Sequence, residues 1–163
     1  MAQENKQLLT GLNLSVLGIG HIGKIDSIDQ PDLEFEVVDD VSTGRLKTMF
    51  MTIKLGEYNN SLLQQTLQNN LKDNNKVPFV IKGNIRQNAK DIPLMIVARG
   101  EVHTVKDGTL EIGKTVQREM KIRLVTYSKT VAGIPEIIVD VPNEIFTIDG
   151  LDQYADFRAN VLS

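Results

Sequence analysis

The chain has 163 residues, 41% of them hydrophobic and 24% charged, enough for one domain with a real core. It contains no cysteine, which excludes disulfides, thiolate metal sites and cysteine nucleophiles and fits a reducing cytoplasm. A net charge of −3 and a pI near 5.4 leave no basic stripe of the kind that grips DNA phosphates. No window of about 18 apolar residues marks a membrane span, and the first residues, Met-Ala-Gln-Glu-Asn-Lys, lack the build of a signal peptide. No direct membrane insertion of the monomer is expected.

In chain order, residues 12–17 read as a first strand, with Leu12, Leu14 and Val16 on one face. Gly18, Gly20 and Gly23 follow, matching G-x-G-x-x-G after a strand, with Glu34 and Glu36 near the place of an acidic ribose ligand. That fingerprint needs a helix opening at the glycines. Pro31 stops any helix too early, and no later strand–helix alternation supplies a doubly wound sheet. The glycines are therefore expected to form a bend between strands. Residues 33–37 alternate with Leu33, Phe35 and Val37 inward. The polar stretch 39–44 reads as a loop with a turn glycine at Gly44. Residues 47–55 are the expected partner strand, with Met49, Met51, Ile53 and Leu55 opposite Thr48, Phe50, Thr52 and Lys54. Residues 58–71 carry Leu63, Leu67 and Leu71 four apart, which predicts an internal helix with Leu62 beside the stripe. Residues 77–86 and 93–105 form a strand pair turned at 87–91. Leu94, Ile96, Ala98 and Val102 share one face; Arg99, Glu101 and His103 share the other.

The Asp107-Gly108 turn signal leads into the stretch around which the rest is organised, residues 116–127. From Met120 to Leu124 the alternation is faultless. Met120, Ile122 and Leu124 point one way and Glu119, Lys121 and Arg123 the other. Fully extended, this run spans roughly 40 Å at about 3.3 Å per residue, beyond the usual strand of about 3–10 residues. Part of it is therefore expected to pair outside the monomer. Residues 131–134 turn the chain, and 136–141 return with Ile137, Val139 and Val141 on one face. After Asp149-Gly150, the spacing of Leu151, Tyr154, Ala155 and Arg158 predicts a short C-terminal helix starting near Asp149 or Asp152. The fold class is mainly β: packed antiparallel sheets, sandwich- or barrel-like, flanked by one internal helix and a short terminal one, in a single domain over 1–163.

Chemistry is hard to place on this pattern. His21 and His103 are the only histidines, and neither has metal-ligand spacing. Asp39-Asp40 and Glu34/Glu36 read as solvated acids, and no nucleophile–base pair can be argued from spacing. Tyr58, Tyr127 and Tyr154 are scattered and make no stacking platform. No catalytic residue, metal site or cofactor is expected, and neither NAD nor ATP should bind. A monomeric β-sandwich binding module and a nucleotide-binding enzyme built on the three glycines are the rival readings.

From residue 85 onward the order of features resembles the major tail tube protein of contractile-tailed bacteriophages and the related R-type pyocins. The matching pieces are Ile96-Val97-Ala98-Arg99-Gly100-Glu101-Val102, the Asp107-Gly108 turn, Gly113-Lys114, Val125-Thr126-Tyr127 and Ile138-Val139-Asp140 with Asn143. Ile148-Asp149-Gly150-Leu151-Asp152-Gln153 and the tail with Arg158 and Asn160 complete the set. The N-terminal half follows the plan more loosely, and only Gly44 remains of the family's glycine-rich loop. The resemblance implies hexameric rings that stack into a tube inside a sheath, with hairpins joining an inter-subunit β-barrel. It implies as partners further copies of the chain, tail sheath, tape measure and baseplate proteins, and transient double-stranded DNA in the lumen. It places the protein in a virion tail assembled in the host cytoplasm; a pyocin-like particle or secretion-type injector is the alternative. On this reading Arg99, Glu101, Glu119, Lys121 and Arg123 face the lumen. The loop of Asp39, Asp40, Val41, Ser42, Thr43 and Gly44 reaches a neighbouring subunit. Few cations suit a conduit, because many lysine–phosphate contacts would hold DNA in place.

Overall fold

Alternating stretches with tight turns dominate the computed structural model, which describes residues 6–16, 20–24, 27–55, 77–141 and 145–162. Twelve strands are β1 (Leu8–Val16), β2 (Gly20–Lys24), β3 (Ser27–Asp29), β4 (Phe35–Val38), β5 (Val41–Leu46), β6 (Met49–Leu55), β7 (Val77–Gln87), β8 (Lys90–Asp107), β9 (Arg118–Val131), β10 (Ile134–Asp140), β11 (Ile145–Ile148) and β12 (Leu151–Asp152). One helix among the described residues, α1 (Ala155–Leu162), follows them. Every pairing with a defined register is antiparallel, so the expected mainly-β class is what the chain adopts. The predicted helix at 58–71 lies outside the described residues.

The hairpins turn where the local chemistry demands it. Asp39-Asp40, Asn88-Ala89, Ala132-Gly133 and Asp149-Gly150 all have positive φ at both central positions, between 50° and 81°. That is the signature of the two-residue turn whose twist matches its flanking strands, and Asn, Asp and Gly tolerate it best.

Contacts group the chain into two compact units, Met1–Lys24 with Val77–Arg99 and Val125–Ser163, and Ile25–Lys76 with Gly100–Leu124. Strands β8 and β9, of 18 and 14 residues, contribute residues to each. In the first unit the strands run β12-β11-β10-β9-β8-β7-β1-β2. Cross-strand partners share a face, so Leu14 opposite Ile81 and Tyr127 opposite Val139 opposite Phe146 form buried rows. The last row continues into the helix through the Phe146–Tyr154 and Tyr154–Phe157 ring contacts at 5.6 and 6.4 Å. Burial, with Glu136 adding to it, pushes the Tyr127 hydroxyl up to about 12 and keeps it neutral. Asp152 lies two residues before the first helical carbonyl, that of Tyr154, and shapes the approach to the helix: its carboxylate accepts the Tyr154 N–H at 3.0 Å in an Asx turn and pairs with Arg158.

In the second unit the order is β3-β6-β9-β8. Met49 pairs with Leu124, Met51 with Ile122 and Ile53 with Met120, and all six are buried. Alternation in both strands thus delivers one continuous apolar face, each side chain contributing about 1.5–3 kcal/mol on burial. Gly100 lets β8 approach β9 closely: a Cβ there would lie 2.2 Å from the Arg123 carbonyl oxygen.

Several expectations are corrected. Phe35 and Val37 do not point inward; they are 43% and 58% exposed. Residues 39–44 are not an open loop, since Asp39-Asp40 is a tight turn and Val41 begins β5. Strand β6 does not pair with 33–37. It lies between β3 and β9, while β4 pairs with β5. Alternation reveals which side chains share a face and is silent on which strand lies alongside, so a hairpin can close on itself. Strands β3, β11 and β12 are too short to show a period. Gly20 and Gly23 lie within β2, paired with Val16 and Leu14, and Gly18 lies outside the described residues. An extended chain at these glycines leaves no helix to hold a pyrophosphate.

Candidate functional site

The face of the second unit opposite its apolar one is charged, and register dictates how. Lys54 lies across from Glu119, Thr52 from Lys121 and Phe50 from Arg123. Arg123 donates to Glu101 on β8 at 3.2 Å. The Lys121 ammonium sits 4.5 Å above the Phe50 ring, whose other neighbour is the His103 ring at 5.4 Å. Lys54 reaches Asp29 of β3 at 3.5 Å. Four of the five anticipated residues, Glu101, Glu119, Lys121 and Arg123, therefore share one surface in this unit. Arg99 is exposed but belongs to the other unit. The pairs are largely solvated, so each contributes about 0–1 kcal/mol. Lys54, Lys121 and Arg123 are thus matched by Asp29, Glu101 and Glu119 on the same surface.

Asp29, Asp32, Glu34, Glu36, Lys47 and Lys121 are among the residues lining a trough of about 1200 Å³ that Phe50 also lines. Lys47 lies 3.9 Å from Glu34, with both side chains more than half exposed. Among the described residues no group of three or more His, Cys, Asp or Glu side chains could hold a metal ion, and no helix is long and apolar enough to cross a membrane.

The six anticipated contact residues lie together on the β4–β5 hairpin, a two-stranded sheet of its own. Val38 opposes Val41 beside the Asp39-Asp40 turn. The side-chain hydroxyl of Thr43 donates to the Glu36 carbonyl at 3.0 Å, and the Lys47 N–H bonds the Glu34 carbonyl at 2.7 Å, fastening the base. All of β4 is exposed.

The pairing of Arg118 with Asp107 is not visible in the sequence pattern. Arg118 is buried, and its Nε donates to the Asp107 carboxylate at 2.7 Å, while the Gly108 N–H bonds the Gln117 carbonyl at 3.1 Å. The Arg118 guanidinium holds the Asp107 carboxyl below its ordinary value. Together they clasp the base of the loop 108–117. A signal for some partner was present: counting back by two from Met120, Arg118 falls on the apolar face, where a cation requires a partner.

The model of the phage tail tube protein FII family matches residues 6–161. Sequence comparison with curated proteins returns no match. Among solved structures, Hcp1 from Flavobacterium johnsoniae is similar over 77% of this chain and 98% of its own, with a TM-score of 0.54 and 13% identity. A chain of the PVC sheath–tube complex of an extracellular contractile injection system, in its extended state, is similar over 74% of this chain and 88% of its own, with a TM-score of 0.53 and 12% identity. At such identities these two likenesses concern the fold, and the family match carries the assignment. The chain belongs to the phage tail tube protein FII family and is a structural tail-tube protein, not an enzyme.

Proposed function

We propose that the chain self-assembles into hexameric rings that stack into the inner tail tube through which DNA is delivered during ejection. Sheath, tape measure and baseplate proteins are its partners, and assembly takes place in the host cytoplasm. The observation that carries this is the β4–β5 hairpin. Its Phe35, Val37, Val38 and Val41 side chains are 43–65% exposed, and a two-stranded hairpin is at best marginally stable alone. Such an element is completed by a neighbouring copy. Asp39, Asp40, Val41, Ser42, Thr43 and Gly44 are its contact residues, and their amides become protected from exchange on assembly. The charged face of Glu101, Glu119, Lys121 and Arg123, with Arg99 further along β8, lines the lumen. Paired charges there let DNA slide, because few counterions are released to it.

Negative-stain microscopy of the purified protein over a concentration series tests the proposal. Rings or stacked tubes are expected; a monomer at every concentration refutes it. The likeness to a chain of an injection-system sheath–tube complex favours one second reading, a tube of a pyocin-like particle or injector. Nuclease-protected DNA in purified particles selects the phage reading, and its absence from intact particles the other.

A further inference from the structure

The β4–β5 hairpin is apolar on both faces. Val38 and Val41 are cross-strand partners and share one face. Val37, the adjacent residue, points to the other. These three are 52%, 65% and 58% exposed. A strand apolar on both sides belongs in a layer covered on both sides. Laying the hairpin flat on a neighbour would cover only one of them.

A second apolar feature lies in the same unit. The loop 108–117 carries Leu110 at 71% and Ile112 at 106% exposure. It is held in shape: the Arg118–Asp107 pair and the Gly108–Gln117 bond close its base. At its tip, the Lys114 N–H donates to the Glu111 carbonyl at 3.2 Å, Lys114 pairs with the Glu111 carboxylate at 2.7 Å, and Gly113 takes φ of 85°. An apolar tip on a loop already ordered loses little entropy when it docks.

Every copy therefore carries two different apolar features. A chain that polymerises head to tail needs such a pair, because a heterologous contact joins unlike patches. Charge agrees. The hairpin stretch 34–47 has four carboxylates against two cations, and the loop stretch 106–118 has three cations against two carboxylates.

We propose that Leu110 and Ile112 of one copy pack against the β4–β5 hairpin of a neighbouring copy, covering one of its two apolar faces. This rests on the tube reading and names the two elements that meet in it.

The chain has no cysteine, so single-cysteine variants report cleanly. Val41→Cys and Ile112→Cys alter exposed positions only. The two purified variants are mixed, assembled and treated with a short bismaleimide. A covalent dimer linking positions 41 and 112 is expected, in roughly tenfold excess over same-variant dimers. In parallel, Ile112→Asp should raise the concentration needed for assembly roughly tenfold, as loss of a central apolar anchor does, while the monomer keeps its melting temperature. Tubes that are visible by negative stain but give no link between 41 and 112 overturn the inference and leave the tube reading standing. A parent chain that never assembles overturns both.

Discussion

Gly100→Ala tests how tightly the second unit is built. The added Cβ would lie 2.2 Å from the Arg123 carbonyl oxygen, 2.9 Å from its carbon and 3.0 Å from the Leu124 Cα. All three are backbone atoms, so no change of rotamer relieves the clash. Ordinary contact begins at 3.4 Å, so β8 and β9 must part by about 1.2 Å. Buried Ile122 and Leu124 lie on β9 at this point, and opening the seam loosens them. Overpacking of this kind costs typically 1–3 kcal/mol, and with backbone on both sides we expect about 3 kcal/mol. That is a large share of the roughly 5–15 kcal/mol that stabilises a domain. At about 2–4 °C per kcal/mol for a chain of this size, the melting temperature should fall by about 6–12 °C. Circular dichroism at a concentration low enough to hold the protein monomeric measures it, since assembly would add its own stabilisation. Gly11→Ala is the control: nothing lies within 4 Å of its Cβ and its φ is not positive, so its melting temperature should hold or rise slightly. A Gly100→Ala protein melting within about 2 °C of its parent would refute the reasoning.

Ile122→Asp places an unpaired carboxylate where the parent side chain is 0% exposed; it should cost several kcal/mol and abolish cooperative unfolding, and a cooperative melt near the parent's would contradict the burial. Glu119→Lys sets a second lysine across from Lys54, costing roughly 0.2–1 kcal/mol in the monomer. In the proposed ring each swap changes the charge by two in every copy, so on that proposal such particles should assemble but pass DNA more slowly at low salt and recover at high salt. Parental ejection at every salt concentration would put Glu119 outside the lumen. The Arg158 hydrogen bond, then the Tyr154 N–H, hold the Asp152 carboxyl below its ordinary 3.8. A carboxyl lowered on folding stabilises above its unfolded value, and that contribution is lost as pH falls through the lower folded one. The Tyr154 amide resonance should therefore titrate with a midpoint below 3.8; a midpoint at or above that value would show that the Asp152 contacts to Tyr154 and Arg158 do not form.

Alternation along 118–124 and 49–55 determined by itself which side chains are buried and which are charged, because a period of two leaves no choice of face once one side is apolar. The long hairpin, the pair turned at Asn88-Ala89 and the helix after Asp152 were legible for the same local reason: turn and helix-start chemistry is written in adjacent residues. The charged surface was legible as residues sharing a face on each of two strands. That Arg123 meets Glu101 and Lys121 covers Phe50 was not, since these contacts join positions far apart in sequence, and register across strands comes only from the packed sheet. Partner choice was decided there too. Residues 33–37 alternate as if half-buried, yet pairing with 41–46 made them one side of a separate hairpin and left β6 to lie between β3 and β9. Phe35 and Val37 alternate as in a half-buried strand, yet they and their hairpin neighbours Val38 and Val41 are 43–65% exposed. The sequence records them as apolar; only the tertiary structure shows that Phe35, Val37, Val38 and Val41 lie exposed on that hairpin.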